Sequence, residues 1–368
     1  MSTCPVCGAG VATTDEFCEA CGQALHEATG AAAETASGAE TAAADPPTEE
    51  TTAPAARRCV CGGTFGDDGW CDRCGERAPS QRDHIVTTIS HRLGGVSDRG
   101  RHHARNEDAV ALAETGGRAV LVVCDGVSST TDSDMASVAA ANAARDVLSA
   151  APAPGSASPA ARVEYYTDLM TAAVNAANAE AVAAARQVGG ENPPSCTFAA
   201  AVVENELVIA GWVGDSRIYW LGDDETALQL SIDDSWVSDQ VEHGMAQAQA
   251  EADPLAHSIT RWLGADATDP SARCGSLAAS GAGWVLVCSD GLWNYCSGAA
   301  DLADLVRKYD TRDPTELAGQ LVEWANEQGG HDNITAALAR VEHGDLPGSA
   351  VASAGTTPDA AGPQTRSS

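Results

Sequence analysis

The sequence predicts an α+β protein in which mainly antiparallel sheets are covered by helices. Short runs of Val, Ile, Leu and Ala recur along the chain, and several are joined by brief turns such as Glu204-Asn205, as antiparallel neighbours are. Long Ala-rich stretches with helical periodicity separate groups of these runs and come in pairs. Two apolar runs, Arg118 to Cys124 and Trp284 to Ser289, end in the same way, in Asp125-Gly126 and Asp290-Gly291. Each reads as a buried strand that delivers a carboxylate into a turn, so two strands can aim two acids at one point.

From the N-terminus, the first feature is a set of four cysteines. Cys4 and Cys7, then Cys18 and Cys21 after ten residues, form two C-x-x-C pairs, each able to grip one side of a tetrahedral ion, with Gly8 and Gly22 letting the backbone curl around it. Residues 1–26 therefore read as a zinc ribbon. Residues 27–57 hold Ala, Thr, Glu and Pro with almost no large apolar side chain, too little to offset chain entropy, and read as a disordered acidic linker. Residues 58–78 carry a second set, Cys59 and Cys61, then Cys71 and Cys74 after nine residues, whose tighter first pair makes a less regular ribbon. Structural zinc is favoured over disulfides, which a reducing compartment disfavours, and over a redox pair, because no βαβ pattern surrounds the cysteines. Zinc would substitute for a core that such short segments cannot build.

The larger domain follows. Strands are expected at Ile85 to His91, Ala109 to Leu112, Arg118 to Cys124, Ser195 to Val203, Glu206 to Val213, Arg217 to Leu221, Trp284 to Cys288 and Ile334 to Val341. Helices are expected at Asp132 to Leu148, at Arg162 to Val188 where Gly189-Gly190 stops the pattern, near Ala300 to Tyr309 and at Pro314 to Gln328. Cys124, Cys196, Cys274, Cys288 and Cys296 lie in or beside apolar segments and read as small buried hydrophobes. Residues 343–368 read as a disordered tail.

Acidic signals far apart in sequence carry the chemistry. Besides the two Asp-Gly pairs there are Asn106-Glu107-Asp108, Gly214-Asp215-Ser216-Arg217 and His331-Asp332-Asn333. Carboxylates gathered together raise one another's pKa, so such a cluster makes sense mainly if divalent cations neutralise it. Hard oxygen donors suit Mg²⁺ or Mn²⁺ rather than zinc.

Taken in order, Ser97-Asp98-x-Gly100, Asn106-Glu107-Asp108-Ala109, Cys124-Asp125-Gly126, Gly214-Asp215-Ser216-Arg217, Ile259-Thr260-Arg261-x-Leu263-Gly264, Cys288-Ser289-Asp290-Gly291-Leu292-Trp293 and Asp332-Asn333 resemble the motifs of the metal-dependent type 2C serine/threonine protein phosphatases of bacterial type. The resemblance covers residues 84–342. It implies a four-layer α-β-β-α sandwich with the metals at one edge, and hydrolysis of phosphoserine or phosphothreonine in proteins by a water activated at a dinuclear centre. Carried over, Asp125 bridges two ions; the Gly126 carbonyl and Glu107 serve one, Asp290 and Asp332 the other, Asp108 holds water on the metals, and Asp215 with Asp290 makes a third, weaker site. The chain departs from the family in two main places and, more mildly, at Cys196-Thr197, where the family often carries two hydroxyl residues. An arginine that grips phosphate is replaced by His103, flanked by Arg101 and Arg105, either of which would have to take over its role. The Gly-Gly-His that often follows the bridging aspartate is Val127-Ser128-Ser129-Thr130, which leaves His102, His103, His331 or water to protonate the leaving group.

Composition sets outer bounds. The 368 residues carry a formal charge of −31 and a single lysine, Lys308, which argues against nucleic-acid or anionic-membrane partners. No apolar run approaches the ~20 residues that span a bilayer, and the first residues lack a secretory pattern, so a cytoplasmic protein is expected. The partners expected are phosphoproteins made by serine/threonine kinases, and a protein docked by the ribbons. The rival from another class is a catalytically impaired pseudophosphatase that acts as a regulatory binding module through those ribbons.

Overall fold

The computed structural model describes residues 2–3, 10–11 and 58–342, apart from single positions 67, 76, 131, 189, 191 and 257. The first cysteine set, Cys4, Cys7, Cys18 and Cys21, the 27–57 segment and the 343–368 segment lie outside the described residues.

In chain order, β1 (Ser2–Thr3) pairs with β2 (Gly10–Val11), and the hairpin of β3 (His84–Ser90) and β4 (Leu93–Asp98) is followed by that of β5 (Ala109–Thr115) and β6 (Arg118–Cys124). Helices α1 (Ser133–Ala150) and α2 (Pro159–Val188) come next. Then follow β7 (Ser195–Cys196), β8 (Phe198–Glu204), β9 (Leu207–Val213), β10 (Arg217–Gly222) and β11 (Ala227–Gln229). A crossing segment holds α3 (Trp236–Glu242), α4 (Gln247–Ala250) and β12 (Leu263–Gly264), and the chain ends with β13 (Arg273–Ala278), β14 (Gly283–Cys288), α5 (Asp290–Trp293), α6 (Ala299–Arg307), α7 (Pro314–Gln328) and β15 (Ile334–Val341).

These strands build two antiparallel sheets, one ordered β13-β9-β8-β6-β5 and the other β11-β10-β14-β15-β4-β3. Because successive side chains on a strand point to opposite faces, β6 divides its apolar run between two cores. Val120 and Val122 pack with Ala136, Ala140, Met170 and Ala177 of the α1–α2 pair, whereas Leu121 and Val123 meet Ile218, Val287 and Ala337 of the other sheet. That second sheet likewise turns Leu286 and Leu338 outward against Leu302, Leu317 and Leu321 of α6 and α7. The result is helices, sheet, sheet, helices: the α+β sandwich implied by the resemblance.

Antiparallel pairing also places the acids. The end of β6 lies beside the start of β5 (Ala109 opposite Cys124), and the start of β8 beside the end of β9 (Phe198 opposite Val213). In the other sheet the start of β10 and of β15 meet the end of β14, and the end of β4 meets the start of β15. Every acidic motif follows or precedes one of these ends.

The expected elements match, with boundaries shifted by a few residues, but β1, β2, β4, β11, β12, β13, α3, α4 and α5 were not anticipated. In β4 the pair Gly94-Gly95 weakens a strand pattern; the structure gives its reason, since a Cβ on Gly94 would come within 2.1 Å of Thr315 Oγ1 at the start of α7. Among the described residues no helix is long and apolar enough to cross a membrane.

Candidate metal-dependent active site

At the shared end of the two sheets a cleft of about 300 Å³ opens, lined by Asp125, Asp215, Asp290 and Asp332 on its floor. The loop Val127–Thr130 and the segment around Ser258, Trp262 and Asp266 form its walls. Glu107 lies against the same floor from behind: a Cβ on Gly126 would stand 2.8 Å from the Glu107 carbonyl oxygen. The glycines of the two Asp-Gly pairs are thus required by close approach rather than by a left-handed turn. Gly291 makes the case more sharply, since its Cβ would be 2.0 Å from the Asn333 carbonyl oxygen, and Asp290 opens helix α5 instead of a turn.

The electrostatics record how closely the acids are gathered. Burial, and then the negative charges of Asp108, Asp290, Asp332 and Asp215, raises Asp125 well above the usual carboxylate range. Asp215 is raised similarly, by burial and then Asp290. Burial and Asp332 push Asp290 up to about 7; burial and Asp108 push Asp332 to about 7 as well. Glu107 is raised chiefly by burial.

Asp108 sits beneath this floor, wholly buried. Its Oδ2 accepts hydrogen bonds from the hydroxyls of Ser289 and Thr335, both at 2.7 Å, while burial holds its carboxyl up at about 6. Its Oδ1, like Oδ1 of Asp290, is buried with no hydrogen-bond partner. Orphaned buried carboxylate oxygens are costly, and acids that face one another with oxygens unpaired form a donor set suited to hard divalent ions. The residues present fit Mn²⁺ or Mg²⁺.

The loops are held by uncharged groups to which the sequence reading assigned no role. Asn333 Oδ1 accepts the Glu107 N–H at 2.7 Å, and its Nδ2 donates to the carbonyls of Arg99 (2.8 Å) and Arg105 (3.0 Å). Thr197 Oγ1 accepts the Asp125 N–H at 3.0 Å, and the Thr197 N–H donates to the Asp125 carbonyl at 2.8 Å. For Asn333 the signal lay in its place directly after Asp332. Nothing in the sequence marks Thr197 or Ser289 as partners of these acids.

The structure does not bring Arg101 or Arg105 to the cleft. Arg101 Nε donates to the Asn326 carbonyl at the end of α7, at 2.7 Å. Arg105 pairs with Asp132 at 2.8 Å and Asp134 at 3.4 Å beside the start of α1, attractions that raise its own pKa further. Both are drawn off by partners whose sequence positions gave no sign of their proximity. His103 does reach the acids: it is buried, and its Nε2 lies 3.2 Å from Asp332 Oδ1 without hydrogen-bond geometry. Burial lowers its pKa below that of a free imidazole. His102 stacks on His331 with ring centres 4.6 Å apart.

A second donor set stands apart. The sulfurs of Cys59, Cys61, Cys71 and Cys74 lie within 4.8 Å of one another, with Cys59 and Cys74 at 3.6 Å, Cys61 and Cys71 at 3.5 Å, and no disulfide between them. Zinc–sulfur bonds of about 2.3 Å set tetrahedral sulfurs about 3.8 Å apart, so this set can hold zinc. The irregular first pair does not prevent closure.

The fold and the site together define a helix-flanked double sheet with carboxylates gathered at one edge, and comparison with known proteins gives the family. A model described as protein phosphatase 2C matches residues 98–339, and the chain belongs to that family. It is 34% identical over 148 residues to the protein phosphatase PhpP of Streptococcus pneumoniae, a match spanning 39% of this chain and 57% of that protein's length. The serine/threonine phosphatase PstP/Ppp of Mycobacterium tuberculosis aligns with a TM-score of 0.53 at 27% identity, covering 68% of this chain and 99% of the other. The catalytic domain of PstP in complex with two manganese ions aligns with a TM-score of 0.51 at 28% identity, over 68% and 98% of the two chains.

Proposed function

We propose that this protein hydrolyses phosphoserine and phosphothreonine in other proteins, opposing cytoplasmic kinases. Its parts are a ribbon at residues 1–26, a linker at 27–57, a zinc ribbon at 58–78, the catalytic domain at 84–342 and a tail at 343–368. The observation that carries the reading is the meeting of Asp125, Asp215, Asp290 and Asp332 on one cleft floor, with Glu107 behind it and a buried oxygen of Asp290 left without a partner. Relatives named as protein phosphatases, one solved with manganese, support both substrate class and metal.

Asp125, Glu107 and the Gly126 carbonyl would hold one ion, Asp125, Asp290 and Asp332 the second, and Asp215 with Asp290 a third. The bound ions would neutralise the phosphoryl oxygens and acidify the attacking water. The chain's own groups do the rest. Asp108, fixed by Ser289 and Thr335, presents its free Oδ1 as an acceptor that orients solvent beneath the floor. His103, held beside Asp332 with its pKa lowered by burial, is placed to accept or pass a proton at Nε2. Among the described residues no Lys or Arg lines the cleft, so phosphate charge would fall to the ions rather than to Arg101 or Arg105. No observation favours the impaired binding module.

The test is turnover of a phosphothreonine peptide with Mn²⁺ added or withheld. Hydrolysis that requires Mn²⁺ and disappears in Asp125→Asn supports the reading. Absence of turnover by the wild-type protein at saturating Mn²⁺ contradicts it.

A further inference from the structure

The four-cysteine ribbon is fastened to the loop that presents Glu107. Within the ribbon, Arg77 is bridged to Trp70 through the backbone, and the Ala78 N–H donates to the Gly69 carbonyl at 2.7 Å. Trp70 directly precedes Cys71, so the position of Arg77 follows from how the cysteines close. The Arg77 guanidinium then leaves the ribbon and donates to the Ala104 carbonyl at 3.1 Å, one residue past His103.

Five residues on, Arg82 completes the attachment. Its Nη2 donates to the carbonyls of Asn106 (3.2 Å) and Asp108 (3.1 Å), which flank Glu107, and Asn106 Nδ2 returns a bond to the Arg82 carbonyl at 3.0 Å. The intervening turn is itself locked. Ser80 and Asp83 cap one another, Asp83 lies 3.7 Å from Arg77, and the Asp83 carbonyl accepts the Arg99 N–H at 2.8 Å. The hydrogen bonds that leave this turn thus reach Arg99, Ala104, Asn106 and Asp108, while Arg82 Nε also lies 3.9 Å from Asp134 of α1.

We infer that the two metal sites are coupled: a metal-loaded ribbon fixes Arg77 and Arg82 as positioning residues, which hold Glu107 where it serves the catalytic ions. Neither arginine meets substrate. Hydrogen bonds of 3.1–3.2 Å to main-chain carbonyls carry the coupling, so it survives high salt better than a surface ion pair does. Linkage makes it reciprocal, and manganese must tighten zinc by the same factor as zinc tightens manganese. The inference rests on the reading of Glu107 as a ligand.

The full-length protein tests it through Mn²⁺ affinity, measured calorimetrically for wild type, Arg82→Ala, Arg82→Lys, Arg77→Ala and the Cys71→Ser/Cys74→Ser double variant, each checked for zinc content and for folding by circular dichroism. Loss of groups that orient metal ligands typically weakens binding about 10- to 100-fold. A drop in that range is expected for Arg82→Ala and the cysteine variant, partly recovered in Arg82→Lys, with kcat restored at saturating Mn²⁺ because the chemistry itself is intact. Unchanged Mn²⁺ affinity in folded Arg82→Ala and Arg77→Ala overturns the coupling, and these two carry the test should the cysteine variant not fold. Failure of the wild type to bind Mn²⁺ would instead remove the reading of Glu107 itself, a result distinct from equal binding by all variants.

Discussion

Asn333 takes the Glu107 N–H on its Oδ1 and gives both amide hydrogens to the carbonyls of Arg99 and Arg105, so one uncharged side chain ties three segments together while nearly fully buried. Removing it leaves three part-buried main-chain groups without that partner, at up to about 1–3 kcal/mol each before relaxation and rehydration. Asn333→Ala should therefore lose about 3 kcal/mol of stability in denaturant unfolding and bind Mn²⁺ more weakly. Asp125→Asn is expected to behave differently, because amide and carboxylate have the same shape: folding is retained or improved without metal, as like-charge repulsion is relieved, while kcat falls by more than about a hundredfold. The acids themselves were legible in the sequence, being carboxylates at the ends of apolar runs. Their supports were not, because a serine or threonine gives no sign of which distant carboxylate it will meet.

At the scale of elements, legibility followed burial. β6 is buried at all seven positions and sits between two apolar layers, so its sequence is a continuous apolar run that reads as a strand. β4 was missed because its glycines answer to a neighbour, α7, whose first turn comes too close for a side chain. β13 was missed because its Arg273–Ala278 sequence alternates poorly at the sheet edge, with no position fully buried. The glycine of Asp290-Gly291 was noticed, but for a turn it does not make. Gly291→Ala tests the close approach. Its Cβ would need the Asn333 carbonyl to move, at about 1–3 kcal/mol for an overpacked site, and the displacement would fall on Asp290 and Asp332 together. A lower melting temperature with weakened Mn²⁺ binding is expected; a neutral substitution would show that the α5 and β15 loops are not interlocked.

For the molecule as a whole, the gathered acids make stability depend on pH and metal together. Without divalent ions, Asp108, Asp290 and Asp332 hold protons up to about 6, 7 and 7, whereas the unfolded chain releases them near the ordinary 3.8. The folded state thus binds more protons between about pH 4 and 7, and its stability falls as pH rises through that window. Protein dialysed free of Mn²⁺ should melt at a higher temperature at pH 5 than at pH 8. Adding Mn²⁺ should stabilise the pH 8 sample most, since the cations then replace the missing protons. Equal melting temperatures at the two pH values would show that the carboxylates are not pressed together.

Glu107 and Asn333, joined by one hydrogen bond, are 226 positions apart in the chain, and the acids on the cleft floor come from both sheets. No partially formed half of the molecule can offer a complete cation cage. Manganese should therefore leave the refolding rate nearly untouched and act almost wholly by slowing escape from the native state, so that the bound ion serves as a latch closed after the chain has found its shape.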